Sequence, residues 1–293
     1  MSPRTPLLDL LGTIGSFVRV VTWGTENSKF HAYLNWLRAV EQYSGRHLTF
    51  ETDRLPAVSG LAAAVALTIK EDYLAGIWKG DMVRGLLWLP VSTATTNSPN
   101  RIPSIPSWSW ASYRGGIQFI SLETKHSGPI DARHEFPEDF CGARAILMIQ
   151  GGYRTDRILM IEGSMASSSL DPFGRVTSGT LKVATDMASC CIGRLSAGSE
   201  WQILDSDSLG ALEEKRFHFF VDFWTDSMVG ERLSVVLALL LQGSLSQVPS
   251  GGGFGLILKM STSGTFHRLG VFFVVEKRHQ MIQDFELNEV TIE

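Results

Sequence analysis

The 293 residues, 44% hydrophobic and 19% charged, suffice for one large core or two modest domains. A formal net charge of −4, from 26 basic and 30 acidic residues, lacks the basic footprint of a nucleic-acid binder. Cys141, Cys190 and Cys191 fit neither a disulfide scaffold nor a zinc site by number or spacing. Residues 1–25 are apolar with Gly12, Gly15 and Gly24, and read as a loose arm, an edge element or a surface-lying helix. Asp9 interrupts their apolar run and no small-residue cleavage site follows, so the expectation is a cytoplasmic protein without a secretory signal. The apolar run at 233–241 is far too short to span a bilayer as a helix, so no transmembrane segment is expected.

The first helix is expected over residues 30–44, where Phe30, Tyr33, Leu34, Leu37 and Val40 form a stripe that leaves Trp36 and Arg38 off it. Thr52 or Asp53 then caps a second, alanine-rich helix over 57–69, with Pro56 in its first turn. A third short helix is expected at 72–78, and a helical turn or short strand at 82–88. Residues 91–107 carry three prolines among serines, threonines and asparagines, and read as a linker. From Trp108 the pattern becomes short alternating runs, with strands expected at 108–113, 116–122, 143–150, 180–184, 217–223, 233–241, 254–259 and 269–275. Residues 233–241 are equally compatible with a helix. The resulting fold class is α+β: a mainly helical segment (1–90), the linker (91–107), and a β-rich, barrel- or sandwich-like body (108–293) sharing one core with the helices.

No motif names a reaction. Gly251, Gly252, Gly253 and Gly255 lack the residues that complete a nucleotide loop or a dinucleotide fingerprint, and read as a strand connection. The seven histidines are scattered without ligand spacing, and Asp131, His134, Glu135, Glu138 and Asp139 read as a solvated loop. No cofactor and no metal is therefore expected. On an alternating strand, His218, Phe220, Asp222 and Trp224 share a face that combines a proton carrier, a carboxylate and two rings, as a small-molecule pocket does. Asp53 precedes a very apolar segment, where a carboxylate either caps the helix or stands at a pocket wall with a tuned pKa. The candidate catalytic residues are thus Asp222, His218 and Asp53. The candidate substrate-binding residues are Trp224, Phe220, Trp108 and Trp110.

Several strings together resemble the downstream region of fungal heterokaryon-incompatibility (HET) proteins: YSGRHLT at 43–49, DRLPAVSGLA at 53–62, YLAGIW at 73–78, GLLW at 85–88 and PSWSWAS at 106–112. DPFGRVTSG at 171–179 and HRLGVF at 267–272 match weaker features of that region, and the resemblance runs over roughly residues 20 to 290. It implies a fungal origin and a scaffold. The N-terminal domain linked to incompatibility and cell death is not in this sequence, so no catalytic residue carries over. As scaffold, Trp108 and Trp110 are expected to share one face of a strand and to anchor the β body against the helices.

Two functions remain open at this point. The first is a cofactor-independent cyclase or isomerase acting on a small apolar metabolite in fungal secondary-metabolite biosynthesis, working by preorganisation with Asp222 or His218 as the polar group. The alternative is a non-enzymatic recognition or regulatory module derived from a HET protein, with a protein partner. A chain without retained activity is the third option.

Overall fold

The computed structural model describes residues 26–91, 101–120, 149–154, 160–167, 171–196, 200–204, 216–222, 228–245, 248–275 and 285–293. Of the expected elements, Trp224, Cys141, the cluster at 131–139 and most of the strand at 143–150 lie outside these residues.

Helix α1 (Glu26–Ser44) buries Tyr33, Trp36, Leu37, Val40 and Tyr43. The buried stripe is rotated from the expected one, and it takes in Trp36, which is 1% exposed. Its indole N–H donates to the Gly76 carbonyl at 3.0 Å, so a ring whose helical position alone did not mark it becomes a central contact. After 3-10 turns at Glu51–Asp53 and Pro56–Val58, helix α2 (Ser59–Ile69) packs on α1. Asp53 does not cap it. Lys70 ends it in the left-handed region at φ 53°, with its N–H returned to the Ala66 carbonyl.

The expected third helix at 72–78 is a hairpin instead. Strands β1 (Tyr73–Leu74) and β2 (Ile77–Trp78) pair antiparallel around Ala75 and Gly76, whose φ values are 42° and 97°. Two successive positive φ values define the turn whose twist matches paired strands. Helix α3 (Met82–Leu86) and strand β3 (Trp88–Pro90) follow, and β3 pairs with β4 (Ile117–Phe119). Both alternatives expected at 82–88 are therefore present, one after the other.

A buried ion pair lies within this helical layer. Asp81 and Arg84, each 7% exposed, hydrogen-bond one another, and the Arg84 guanidinium lies 4.8 Å from the centre of the Phe30 ring. Burial pushes the Asp81 carboxyl from its ordinary 3.8 up to about 6, against the pull of Arg84. The unfolded chain releases this proton near pH 4 and the folded protein near pH 6. Stability from this group is therefore complete below about pH 4 and lost as pH rises through about 6. Between pH 4 and pH 7 the wild type should lose about 2 kcal/mol relative to Asp81→Asn, measured by denaturant unfolding at both pH values. A constant difference between the two proteins would refute the shift.

The second half of the expected linker is ordered core: Ile102 and Ile105 are 3% and 4% exposed. The expected strand at 108–113 is also absent. Ser109 caps a 3-10 turn, Trp110–Ser112, by accepting the Ala111 N–H at 3.1 Å. Trp108 and Trp110 therefore do not share a strand face, although both are fully buried. With Trp36, Trp78 and Trp88 they make five indoles of at most 1% exposure. Each such ring buries about 200 Å² and adds roughly 5 kcal/mol of gross burial free energy.

Among the described residues, the body is one nine-stranded mixed sheet. Its strands are β5 (Ile149–Arg154), β6 (Met160–Ser167), β7 (Val176–Gly193), β8 (Gln202–Ile203), β9 (Arg216–Val221), β10 (Leu233–Leu245), β11 (Val248–Met260), β12 (Phe266–Val275) and β13 (Glu286–Ile292). Five of them close a ring. β7 pairs with β10, β10 with β11, β11 with β12, β12 with β13 through Phe266 and Ile292, and β13 with β7. Leu233, Val235, Leu237 and Leu239 of β10 pack with Ile257, Phe272 and Val274 in one core, while Ala238, Leu240, Phe254 and Phe273 pack against the helical layer. From Leu237 to Leu241 both faces of β10 are buried, which is why that stretch is apolar with no strand period, whereas 233–236 alternate around the exposed Ser234. The glycines at 251–255 lie inside β11 and do not form a connection. Cys190 points into the inner core and Cys191 out of it, as alternation on a strand requires.

Candidate functional site

Asp222 follows β9 directly and is 7% exposed. Both carboxylate oxygens accept from Arg268 of β12, at 2.9 Å from Nε and 3.1 Å from Nη2. The rest of that guanidinium donates to the main-chain carbonyls of Leu86 and Trp88 and stacks on the Trp88 ring at 3.5 Å. Burial raises the Asp222 pKa, against the pull of Arg268 and Arg101, and burial lowers that of Arg268. The geometry is a bidentate, desolvated ion pair that ties the ring to the helical layer. Its carboxylate is engaged in the fold.

The other sequence candidates do not converge on it. His218 and Phe220 do share a face of β9 toward the helical layer, with the His218 ring stacked on Phe273 at 5.9 Å between centres. Four residues along a strand separate His218 from Asp222 by roughly 13 Å, too far for direct proton exchange. Asp53 is at the surface, paired with Arg175 at 2.8 Å. Trp108 and Trp110 belong to the core: Trp110 donates to the Gly76 carbonyl at 3.0 Å, and the Trp108 carbonyl accepts from the Trp88 indole at 3.2 Å. Trp224 lies outside the described residues.

A different constellation gathers at the β1–β2 hairpin. Tyr73 and Trp78 are cross-strand partners with ring centres 4.9 Å apart. Trp36 of α1 meets both edge-on, at 5.7 and 5.9 Å. Phe173 closes the group from the Asp171–Gly174 turn, 5.3 Å from Tyr73 and 6.2 Å from Trp78. That turn is fixed by the Asp171 carboxylate, which accepts the Phe173 N–H at 2.9 Å. Trp36 and Trp78 are buried, whereas Tyr73 and Phe173 form a half-buried rim.

Within this shell, the Tyr73 hydroxyl and the Trp78 indole N–H are buried without a hydrogen-bond partner. An unmade buried hydrogen bond costs about 1–3 kcal/mol, so each of these two donors calls for a partner. Burial, with Asp171 adding to it, pushes the Tyr73 pKa well above the usual phenol range. The phenol therefore stays protonated and acts as a donor, as an indole N–H always does. Two donors inside an aromatic shell suit a flat, largely apolar molecule with an acceptor oxygen.

Among the described residues, no group of three or more His, Cys, Asp or Glu side chains is placed to hold a metal ion. No helix there is long and apolar enough to cross a membrane. No protein-family model, no curated protein and no solved structure matches this chain. The site residues Tyr73, Trp78 and Phe173 were present in the sequence within two of the strings carrying the HET resemblance, YLAGIW and DPFGRVTSG. What concealed them was the helical expectation for 72–78, which puts Tyr73 and Trp78 on different faces, and the separation of 95 positions between Trp78 and Phe173 in sequence.

Proposed function

We propose that this chain is a small-molecule-binding protein on a HET-like scaffold, and that its ligand is a planar, largely apolar carbonyl compound seated at the Tyr73–Trp78 hairpin. The observation that carries this is the pair of unpartnered buried donors, Tyr73 Oη–H and Trp78 Nε1–H, inside four aromatic rings. The finer form of the proposal is catalytic. Two fixed donors on a carbonyl oxygen stabilise the charge that develops when an adjacent C–H ionises or a ring closes, which is the electrophilic half of a cofactor-free isomerisation or cyclisation. Phe173 is the outer wall of this site, because it is half-buried at the rim on the Asp171–Gly174 turn.

The test compares flavone with a carbonyl-free hydrocarbon of the same outline, each titrated by quenching of tryptophan fluorescence. Flavone should bind at least tenfold more tightly than the hydrocarbon, and Tyr73→Phe should remove most of that difference, since one hydrogen bond is worth about 0.5–1.5 kcal/mol. Phe173→Ala should speed association. Equal affinity for the two probes, or none for either in a folded protein, would overturn the assignment. That outcome would favour the alternative, a non-enzymatic recognition module, which is also supported by the engagement of Asp222 and Asp53 in ion pairs.

A further inference from the structure

Arg54 is 4% exposed, as buried as Arg84 and Arg268. Those two arginines each carry an aspartate. Arg54 instead donates through Nη2 to two main-chain carbonyls, Ser44 and Gly115, both at 3.2 Å. The carboxylates on its own 3-10 turn are committed elsewhere: Glu51 to Arg114 at 2.5 Å and Asp53 to Arg175 at 2.8 Å. Ser44 ends α1, so its carbonyl brings the partial negative charge of a helix C-terminus, roughly half a unit. The guanidinium is thus only partly balanced, and a buried charge without a full counter-charge is costly.

The same place holds two unmade hydrogen bonds. Arg54 Nε and Tyr43 Oη are buried and have no partner. Both side chains lie on Trp110: the Arg54 guanidinium carbon is 5.8 Å from its ring centre, and the Tyr43 ring meets it edge-on at 6.2 Å. Burial lowers the Arg54 pKa, with Glu51 opposing it, and burial raises that of Tyr43, with the Arg54 charge opposing it. The phenol is therefore neutral and free to donate. Asp53 adds a negative charge toward Tyr43 and Arg46 a further positive one.

We propose that Arg54 and Tyr43 form a binding site for a small oxyanion, a phosphate or carboxylate group, with one oxygen taking the Arg54 Nε–H and another the Tyr43 O–H. A guanidinium edge beside a hydroxyl donor suits two oxygens of one group, and the ligand's charge completes the balance that the helix end begins. The site is separate from the aromatic hairpin and stands whether or not that hairpin binds a ligand.

Thermal unfolding in chloride buffer, with inorganic phosphate or acetate added at constant ionic strength, tests it. A saturable rise in Tm with either anion is expected, and no rise with perchlorate. A response to phosphate alone assigns the phosphate class, and a response to both anions assigns the carboxylate class. Tyr43→Phe should weaken the apparent affinity about tenfold, the equivalent of one charge-assisted hydrogen bond. Arg54→Lys, which keeps the charge but loses the Nε–H, should abolish the saturable part. The Arg54 Nε–H resonance should shift along the same titration curve, which a purely structural arginine would not show. Should Arg54→Lys fail to fold, Tyr43→Phe and the resonance decide alone. No saturable rise with either anion, or a rise unaltered in Tyr43→Phe without a resonance shift, would overturn the site.

Discussion

Arg268→Met should destabilise the protein by about 5 kcal/mol in urea unfolding, and Asp222→Ala by a similar amount. Removing one partner leaves the other charge buried and alone, which costs about 3–5 kcal/mol. The Arg268 change also strips donors from the Leu86 and Trp88 carbonyls and removes the cation from the Trp88 ring. The double variant Asp222→Leu with Arg268→Met should be more stable than the sum of the singles implies, by at least about 2 kcal/mol, because it leaves no unpaired charge. Losses below about 1 kcal/mol in either single would mean that the pair is solvated and does not clamp. In that event the carboxylate would again be available as an acid or base.

This clamp shows how a sequence pattern is both right and misleading. His218 and Phe220 lie on one face of β9, as alternation requires, and Asp222 follows the strand directly. The pattern gave no sign of Arg268, 46 residues away, which takes both carboxylate oxygens. A carboxylate among rings is the signature of a pocket and of a buried ion pair alike, and only the partner tells them apart. The α+β class was legible because the helical spacing at 30–44 and 57–69 and the strand-like runs at 180–184, 217–223, 254–259 and 269–275 are local signals. The closure of the ring was not legible. It depends on β7 pairing with β10 and β13 on opposite edges, which no local window contains.

The strings that carry the HET resemblance have a physical meaning in the fold, because they bond to each other. Arg54, in the second string, donates to Ser44 in the first. Asp53 pairs with Arg175 in the DPFGRVTSG string. In PSWSWAS, Ser109 donates to Ala75 and Trp110 to Gly76, both in YLAGIW, while the Trp108 carbonyl accepts from Trp88 in GLLW. Ser107 Oγ accepts the main-chain N–H of Arg268 in HRLGVF at 3.0 Å. Apart from the exposed Asp53–Arg175 pair, these bonds are buried and tie the strings together across the seam between helices and sheet. Such a network is costly to leave partly made, so each member constrains the others. They read as isolated motifs in sequence because their partners lie 10 to 161 residues away.

Gly76→Ala should cost about 4 kcal/mol, and Gly60→Ala should stabilise the protein. At Gly76 the backbone φ is +97°, where an alanine is strained by about 1–2 kcal/mol. A Cβ there would stand 2.2 Å from the Trp110 indole nitrogen and 2.8 Å from its Cε2. Trp110 is fully buried and cannot retreat without repacking, which adds about 1–3 kcal/mol. The shift would also pull the Gly76 carbonyl from the two indoles it holds, Trp36 and Trp110. Gly60 lies on the exposed side of α2, and a Cβ there meets nothing within 4 Å. Alanine at that position gains helix propensity and removes unfolded-state entropy, worth about 0.5–1 kcal/mol. Urea unfolding of both variants reads the two signs together. A Gly76→Ala protein as stable as the wild type would mean that residues 75–76 do not form the positive-φ turn. The cross-strand pairing of Tyr73 with Trp78 would fall with it, and so would the aromatic site built on that pair.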